Sequence, residues 1–119
     1  FLRVFAARTG AIIAVTGAVD LVTDGSSCYA VRNGRSEMGR VTGTGCQLSA
    51  LLAAALATAP SDPIVAVAET VALMGVAGEL AWDRMGEHDG NASYRTRIID
   101  SIYCMTDEEL AAHASITKL

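Results

Sequence analysis

Arg40-Val41-Thr42-Gly43-Thr44-Gly45-Cys46 runs straight into Gln47-Leu48-Ser49-Ala50-Leu51-Leu52-Ala53-Ala54-Ala55-Leu56-Ala57. A loop of glycines and threonines thus stands at the mouth of an Ala/Leu-rich helix. The first four N–H groups of a helix have no intrahelical partners, and the helix dipole adds partial positive charge there. Gly43 and Gly45 let the backbone approach a ligand closely, and Thr42 and Thr44 add hydroxyl donors. The combination reads as an anion site, most simply a phosphate site, formed by Gly43, Thr44, Gly45 and Cys46. The field at a helix start also favours the thiolate of a cysteine placed in the first turn, as Cys46 is. Glycine serves ordinary loop-to-helix turns equally well, so the spacing alone leaves that alternative open. The loop is not a Walker phosphate loop, because no Gly-Lys-Ser/Thr follows. It is not a dinucleotide fingerprint, because the third glycine and an acidic residue about 20 positions on are missing.

Outward from this stretch, Phe1 to Thr9 reads as a helix end with Gly10 just past it. Ala11 to Thr16 is a continuous Ile/Val-rich run, expected to be a parallel strand buried on both faces. Leu21 to Thr23 and Ser27 to Val31 flank Asp24-Gly25-Ser26, a hairpin signal, and Asn33-Gly34 marks a further turn. The hairpin is expected to extend the sheet as an antiparallel edge. The Gly43 loop leads into a helix over Cys46 to Ala59, ended by Pro60. Asp62 as N-cap and Pro63 in the first helical position open the next helix. Its apolar stripe runs Ile64, Val67, Ala68, Val71, Met74, Gly75, Gly78, Trp82 and Met85. Gly75 and Gly78 are costly inside a helix, by about 1 kcal/mol each relative to Ala, and are expected where another helix comes close. Ser93 to Cys104 reads as a further helix. Thr106-Asp107-Glu108-Glu109 is a capping box opening a short terminal one.

The chain has 119 residues, 51% of them hydrophobic and 18% charged, which fits one folded domain, residues 1–119, with a real core. A net charge of −4 and scattered Lys and Arg argue against a nucleic-acid partner. No uninterrupted run reaches the ~18 apolar residues of a membrane span, so no membrane partner is expected. Cys28, Cys46 and Cys104 are odd in number and widely spaced, and His88 and His113 stand alone. This pattern is neither a zinc site nor a disulfide framework, and it fits a reducing cytoplasm.

Three stretches together carry a family resemblance: Ala14-Val15-Thr16-Gly17-Ala18-Val19-Asp20-Leu21-Val22-Thr23-Asp24-Gly25, then Gly43-Thr44-Gly45-Cys46-Gln47-Leu48-Ser49-Ala50, then Gly90-Asn91-Ala92-Ser93-Tyr94-Arg95. In order and approximate spacing the chain resembles hydroxyethylthiazole kinases, of the ribokinase-like superfamily, in their carboxy-terminal half. The resemblance implies an α/β fold, the carboxy-terminal half of a three-layer α/β/α domain. It implies ATP-dependent phosphorylation of the primary alcohol of 4-methyl-5-(2-hydroxyethyl)thiazole, a step of thiamine biosynthesis and salvage, in the cytoplasm. ATP and Mg²⁺ are the implied cofactors. The magnesium carboxylates belong to the amino-terminal half, with which nothing here matches, and no metal ligand is assigned in this chain. The family is a homotrimer with sites at subunit interfaces. A chain of this extent is therefore expected to be a fragment or a gene remnant, inactive alone. The alternative is a non-catalytic remnant that binds phosphate or a homologous subunit.

The resemblance assigns Cys46 to the catalytic position, where related sugar kinases have an aspartate base; without it, a small buried filler is the ordinary role of a free cysteine. It assigns Gly43 to the thiazole substrate and Thr16, at the end of the Ile/Val-rich run, to ATP. Ligands of open α/β sheets gather at such strand ends, which supports Thr16 independently. Asp20 and Asp24 read as strand-end and turn residues rather than paired magnesium ligands. Met74, Trp82 and Met85 read as core, His88 as a solvated loop residue and Arg95 as a surface charge, with a role near the nucleotide as its alternative.

Overall fold

In the computed structural model, which describes residues 1–119, the elements follow in the order α1 (Leu2–Thr9), β1 (Ile13–Val15), β2 (Asp20–Thr23), β3 (Cys28–Val31), a 3-10 turn (Ser36–Arg40), α2 (Thr44–Ala57), α3 (Pro63–Asp83), α4 (Asn91–Cys104), α5 (Asp107–His113) and β4 (Ile116–Lys118). Local chemistry sets most of the boundaries. Gly10 takes φ 69° and its N–H donates to the Ala6 carbonyl, ending α1. The Asp62 carboxylate accepts the Val65 N–H at 3.3 Å with Pro63 behind it, starting α3. The Thr106 hydroxyl accepts the Glu109 N–H at 3.1 Å, starting α5. Asp24 Oδ1 accepts the Ser26 and Ser27 N–H groups at 2.9 and 2.7 Å, folding the β2–β3 hairpin around Gly25 at φ 97°. The Ser27 amide and the Ser26 hydroxyl hold the Asp24 carboxyl below the usual carboxylate range.

The four strands pair in the order β1-β2-β3-β4, every pair antiparallel. The hairpin was expected. The parallel, doubly buried strand was not found: β1 pairs antiparallel with β2, from Ile13↔Thr23 to Val15↔Leu21, and Val15 is 42% exposed. The reason lies in the next loop. Asp20 Oδ1 accepts the Gly17 N–H at 2.8 Å and closes a short reversal, so β1 folds back on its immediate neighbour. Its other edge has no strand against it. β4 was also not foreseen. It is three residues long and is located by distant partners: the Arg32 N–H donates to the Ser115 carbonyl, and Asn33 Oδ1 accepts the Ser115 N–H at 2.7 Å.

Strand alternation divides the sheet's burial between two sides. Val22 and Val31 join the main core, with Ala14, Tyr29 and Ile116 packed against it. Thr23, Cys28 and Ala30 are buried on the opposite face, where α1 lies on β2 with Ala7 against Gly25 and Ala6 fully enclosed. The layers are thus α1, the sheet, and the helical layer, a mixed α/β arrangement. α2 begins at Thr44, two residues earlier than expected, and α4 at Asn91, also two earlier.

α3 is the hub, touching α2, α4, α5, β2, β3 and β4. Its residues 74–78 are buried without interruption, the signature of a helix enclosed on every side. At 21 residues it is also long and apolar enough, by length and composition, to cross a membrane. This corrects the expectation from uninterrupted runs: Glu69, Thr70 and Glu79 break the run but leave its average apolar. Here most of the helix is buried in the core. Gly75 and Gly78 are corrected too. Asn33 packs on Gly75 and the Met38 thioether on Gly78, so a loop, rather than a helix backbone, makes the close approach.

α4 reaches α3 through Tyr94, 1% exposed, whose hydroxyl donates to the Gly78 carbonyl at 2.9 Å and whose ring meets Trp82 edge-on at 5.2 Å. Burial, reinforced by the Glu37 charge, pushes the phenol up to about 12. A pKa raised on folding means that the folded state holds the proton more tightly, so the contribution is full below pH 10 and lost as pH rises through about 12. Tyr94→Phe is therefore expected to cost about 1 kcal/mol at neutral pH. The variant should also flatten the alkaline fall in stability, measured as urea midpoints across that window. Parallel pH profiles for both proteins would contradict the assignment.

Candidate functional site

Gly43 is the N-cap of α2 at φ 98°, a left-handed conformation that costs glycine little, and no side chain caps this helix. The first-turn N–H groups therefore lack a side-chain partner. Thr44 turns its hydroxyl back to the Val41 carbonyl at 3.3 Å. Gly45 has nothing within 4 Å of where a Cβ would stand, so its surface is open to a ligand.

Thr44 and Gly45 line a cleft of about 640 Å³. Thr16, Gly17, Ala18 and Asp20 form its strand-end side. Gly34, Arg35, Ser36, Met38 and Gly39 form a second wall, and Leu48, Val71, Met74 and Gly75 supply apolar surface from the helices. A lining that combines polar donors and backbone amides with apolar side chains suits a ligand that is part polar and part apolar. Asp20 is the single carboxylate of the lining. Burial raises its pKa, with the Gly17 N–H opposing the rise.

The structure brings together Thr16, Thr44 and Gly45 from the residues singled out in sequence. Gly43 stands at the helix cap next to the lining. Cys46 is exposed and lies outside the lining, one residue beyond Gly45. Asp20 and Asp24 take the turn roles expected of them, and Asp20 also faces the cleft. Met74 is core, with Trp82 and Met85 half-buried against it. His88 is exposed.

Two arginines were not assigned to the site in sequence. Arg35 lines the cleft wall, held over the Trp82 ring at 5.1 Å and paired with Glu37 at 3.2 Å. Arg95, from the first turns of α4, has its Nε 3.9 Å from the position a Cβ on Gly43 would take, and it belongs to neither ion pair of the chain. For Arg95 the only sequence signal was its place at the end of Gly90–Arg95. For Arg35 it was the preceding Asn33-Gly34 turn. No group of three or more His, Cys, Asp or Glu side chains is positioned to hold a metal ion.

An uncapped, glycine-gated helix start opening on a cleft at a strand end is a geometry able to accept an anion. The hydroxyethylthiazole kinase family model matches residues 2–108, and the chain belongs to that family of kinases. It is 44% identical over 110 residues to the hydroxyethylthiazole kinase of Clostridium acetobutylicum, covering 92% of this chain and 40% of that protein. It is 41% identical over 115 residues to the maize (Zea mays) hydroxyethylthiazole kinase, covering 97% of this chain and again 40% of the relative. The solved structure of the Pyrococcus horikoshii OT3 hydroxyethylthiazole kinase superimposes with a TM-score of 0.87 at 32% identity, over 99% of this chain and 44% of that one. The chain thus spans about 40% of the length of the curated relatives it matches.

The exposure of the thiols is directly checkable. In the native chain iodoacetamide should modify Cys46 and Cys104 and spare Cys28, which is 8% exposed between the sheet and α1. Cys28 should react only on unfolding. Peptide mapping that finds Cys28 labelled as fast as the others would contradict the α1 layer.

Proposed function

We propose that this chain carries the phosphate-holding portion of a hydroxyethylthiazole kinase site, for transfer of the ATP γ-phosphoryl group to the hydroxyl of 4-methyl-5-(2-hydroxyethyl)thiazole. The observation that carries it is the uncapped start of α2, with Thr44 and Gly45 opening on the same cleft as Thr16. In the reaction the alcohol oxygen forms a bond to the γ-phosphorus, the bond to the bridging oxygen breaks, ADP leaves, and the alcohol proton passes to a base. Phosphoryl transfer asks mainly for positioning and charge stabilisation. Main-chain N–H groups of Gly43 to Cys46 hold the phosphoryl oxygens, Thr16 contacts ATP, and Gly43 abuts the thiazole. The resemblance assigns Cys46 to the catalytic position; in this chain its thiol is exposed, one residue beyond the cleft lining, so we give it no step of its own.

Magnesium has no cage here, since Asp20 is the one carboxylate of the cleft and no cluster of metal-ligating side chains exists. We assign the ion's carboxylates to the portion of the relatives that this chain does not match, and no step is routed through the ion. The three free thiols suit the reducing cytoplasm in which such a kinase would work. A second reading is a non-catalytic chain that binds phosphate or a homologous subunit, the whole kinases being homotrimers by the resemblance. Under it, the β1 edge that no strand covers and the exposed Val4 and Phe5 of α1 are apolar surface for a subunit to cover.

The two readings share the phosphate site, and neither expects turnover from this chain alone. Incubated alone with ATP, Mg²⁺ and the thiazole alcohol, the chain is expected to give no phosphorylated product; product formation would show that the cleft is complete as it stands. ATP should nevertheless bind weakly. Gly45→Val should weaken it at least tenfold, since removing a donor to a developing oxyanion is worth about 2.7–4 kcal/mol in catalysis and blocking approach removes comparable contacts. The fold should survive, because nothing lies within 4 Å of the new Cβ. Equal ATP affinity by calorimetry would remove α2 from the site.

A further inference from the structure

Gly75 and Gly78 are buried residues of α3, and the cleft wall rests on them. At Gly75 an added Cβ would lie 2.6 Å from Asn33 Cβ and 2.7 Å from its carbonyl carbon, so the Asn33 backbone sits directly on the helix. The next residue, Gly34, donates its N–H to Glu79 Oε1 at 2.7 Å, and the Asn33 amide reaches the same carboxylate at 3.4 Å and the His113 carbonyl at 2.9 Å. One turn on, a Cβ at Gly78 would overlap the Met38 sulfur and lie 2.7 Å from its Cε. Met38 lines the cleft and Gly78 does not.

We infer that Gly78 is a positioning residue for ligand binding in this cleft, acting through Met38, with Gly75 and Glu79 fixing the loop that carries it. The inference rests on the nucleotide reading given above. Asn33 is held by backbone packing and by four hydrogen bonds to Glu79, His113 and Ser115, so the base of the wall is pinned. The Met38 thioether is the free end of an unbranched, flexible side chain. Any group added at Gly78 displaces that end off α3, and the unfilled space beside it is the cleft. Glycine at this position therefore keeps Met38 against the helix and the cleft open. Glycine at 75 and 78 carries a cost in helix propensity, and the wall rests on the surface it leaves bare.

The test is a double-mutant cycle on the 119-residue chain, with ATP titrated by calorimetry and Met38 followed by its ¹³C-methyl resonance. Gly78→Ala should shift the Met38 methyl and weaken ATP binding about tenfold, while Gly78→Ala combined with Met38→Ala should bind within about threefold of Met38→Ala alone. Glu79→Ala should also weaken ATP binding, with Glu79→Gln restoring it, because the amide oxygen still accepts the Gly34 N–H. That pair serves the test should Gly78→Ala not fold. Wild-type affinity in Gly78→Ala, or equal affinities of the two Glu79 variants, would overturn the inference while leaving the nucleotide reading intact. Absence of ATP binding by the wild type itself would overturn both.

Discussion

Enclosure of α3 is the constraint on which the other elements depend. A helix buried round its full circumference over residues 74–78 needs neighbours on every side, and small side chains to let them close in. Ala72, Gly75, Ala77, Gly78 and Ala81 supply that narrow girth. Each neighbour then meets α3 through a particular contact: Tyr94 of α4 through its hydroxyl on the Gly78 carbonyl, the sheet through Val22 and Val31, and the Asn33–Met38 loop through the two glycines. Backbone groups on the helix itself are satisfied internally, so an apolar interior costs little in lost hydrogen bonds.

The cleft follows from the same packing. α2 lies beside α3 and opens toward the strand ends, where Thr16 emerges from β1. The wall from Gly34 to Gly39 closes the third side because Glu79 and the glycines hold it there. At the start of α2 stand amides without a side-chain cap, and Arg95 lies a short distance from Gly43. On the proposed reading, a positive helix end and an adjacent unpaired guanidinium would draw the anionic part of a ligand to the start of α2, with Val71 and Met74 as apolar surface for the remainder.

Features with a local cause were legible in sequence. Gly10, Asp24-Gly25, Asp62-Pro63 and Thr106–Glu109 each fix a boundary by contacts a few residues away, and the start of α2 was readable for the same reason. What depended on distant partners was not. The apolar run at β1 suits a buried parallel strand equally well, and only the Gly17–Asp20 closure decides that it turns back. β4 is three residues whose register is set by Arg32 and Asn33, more than eighty positions earlier. Gly75 and Gly78 announced a close approach without saying by what. Arg35 carried no pattern of its own and Arg95 only its place at the end of Gly90–Arg95, since their positions near the cleft and Gly43 come from the fold of other segments. Cys46 was located correctly in the first turn of α2, but its exposure outside the cleft lining depends on how that helix is rotated against α3.

The central claim, that the start of α2 holds the phosphate end of a nucleotide, is tested most directly by ¹⁵N–¹H spectra of the chain during titration with ATP. The account predicts that the amide protons of Gly43, Thr44, Gly45 and Cys46 move downfield together as they donate to phosphate oxygens, with smaller shifts at Thr16 and in the Gly34–Gly39 wall. Shifts centred instead on the groove between α2 and α4, at Leu51, Ile99 and Ile102, with the Gly43–Cys46 amides unmoved, would contradict it.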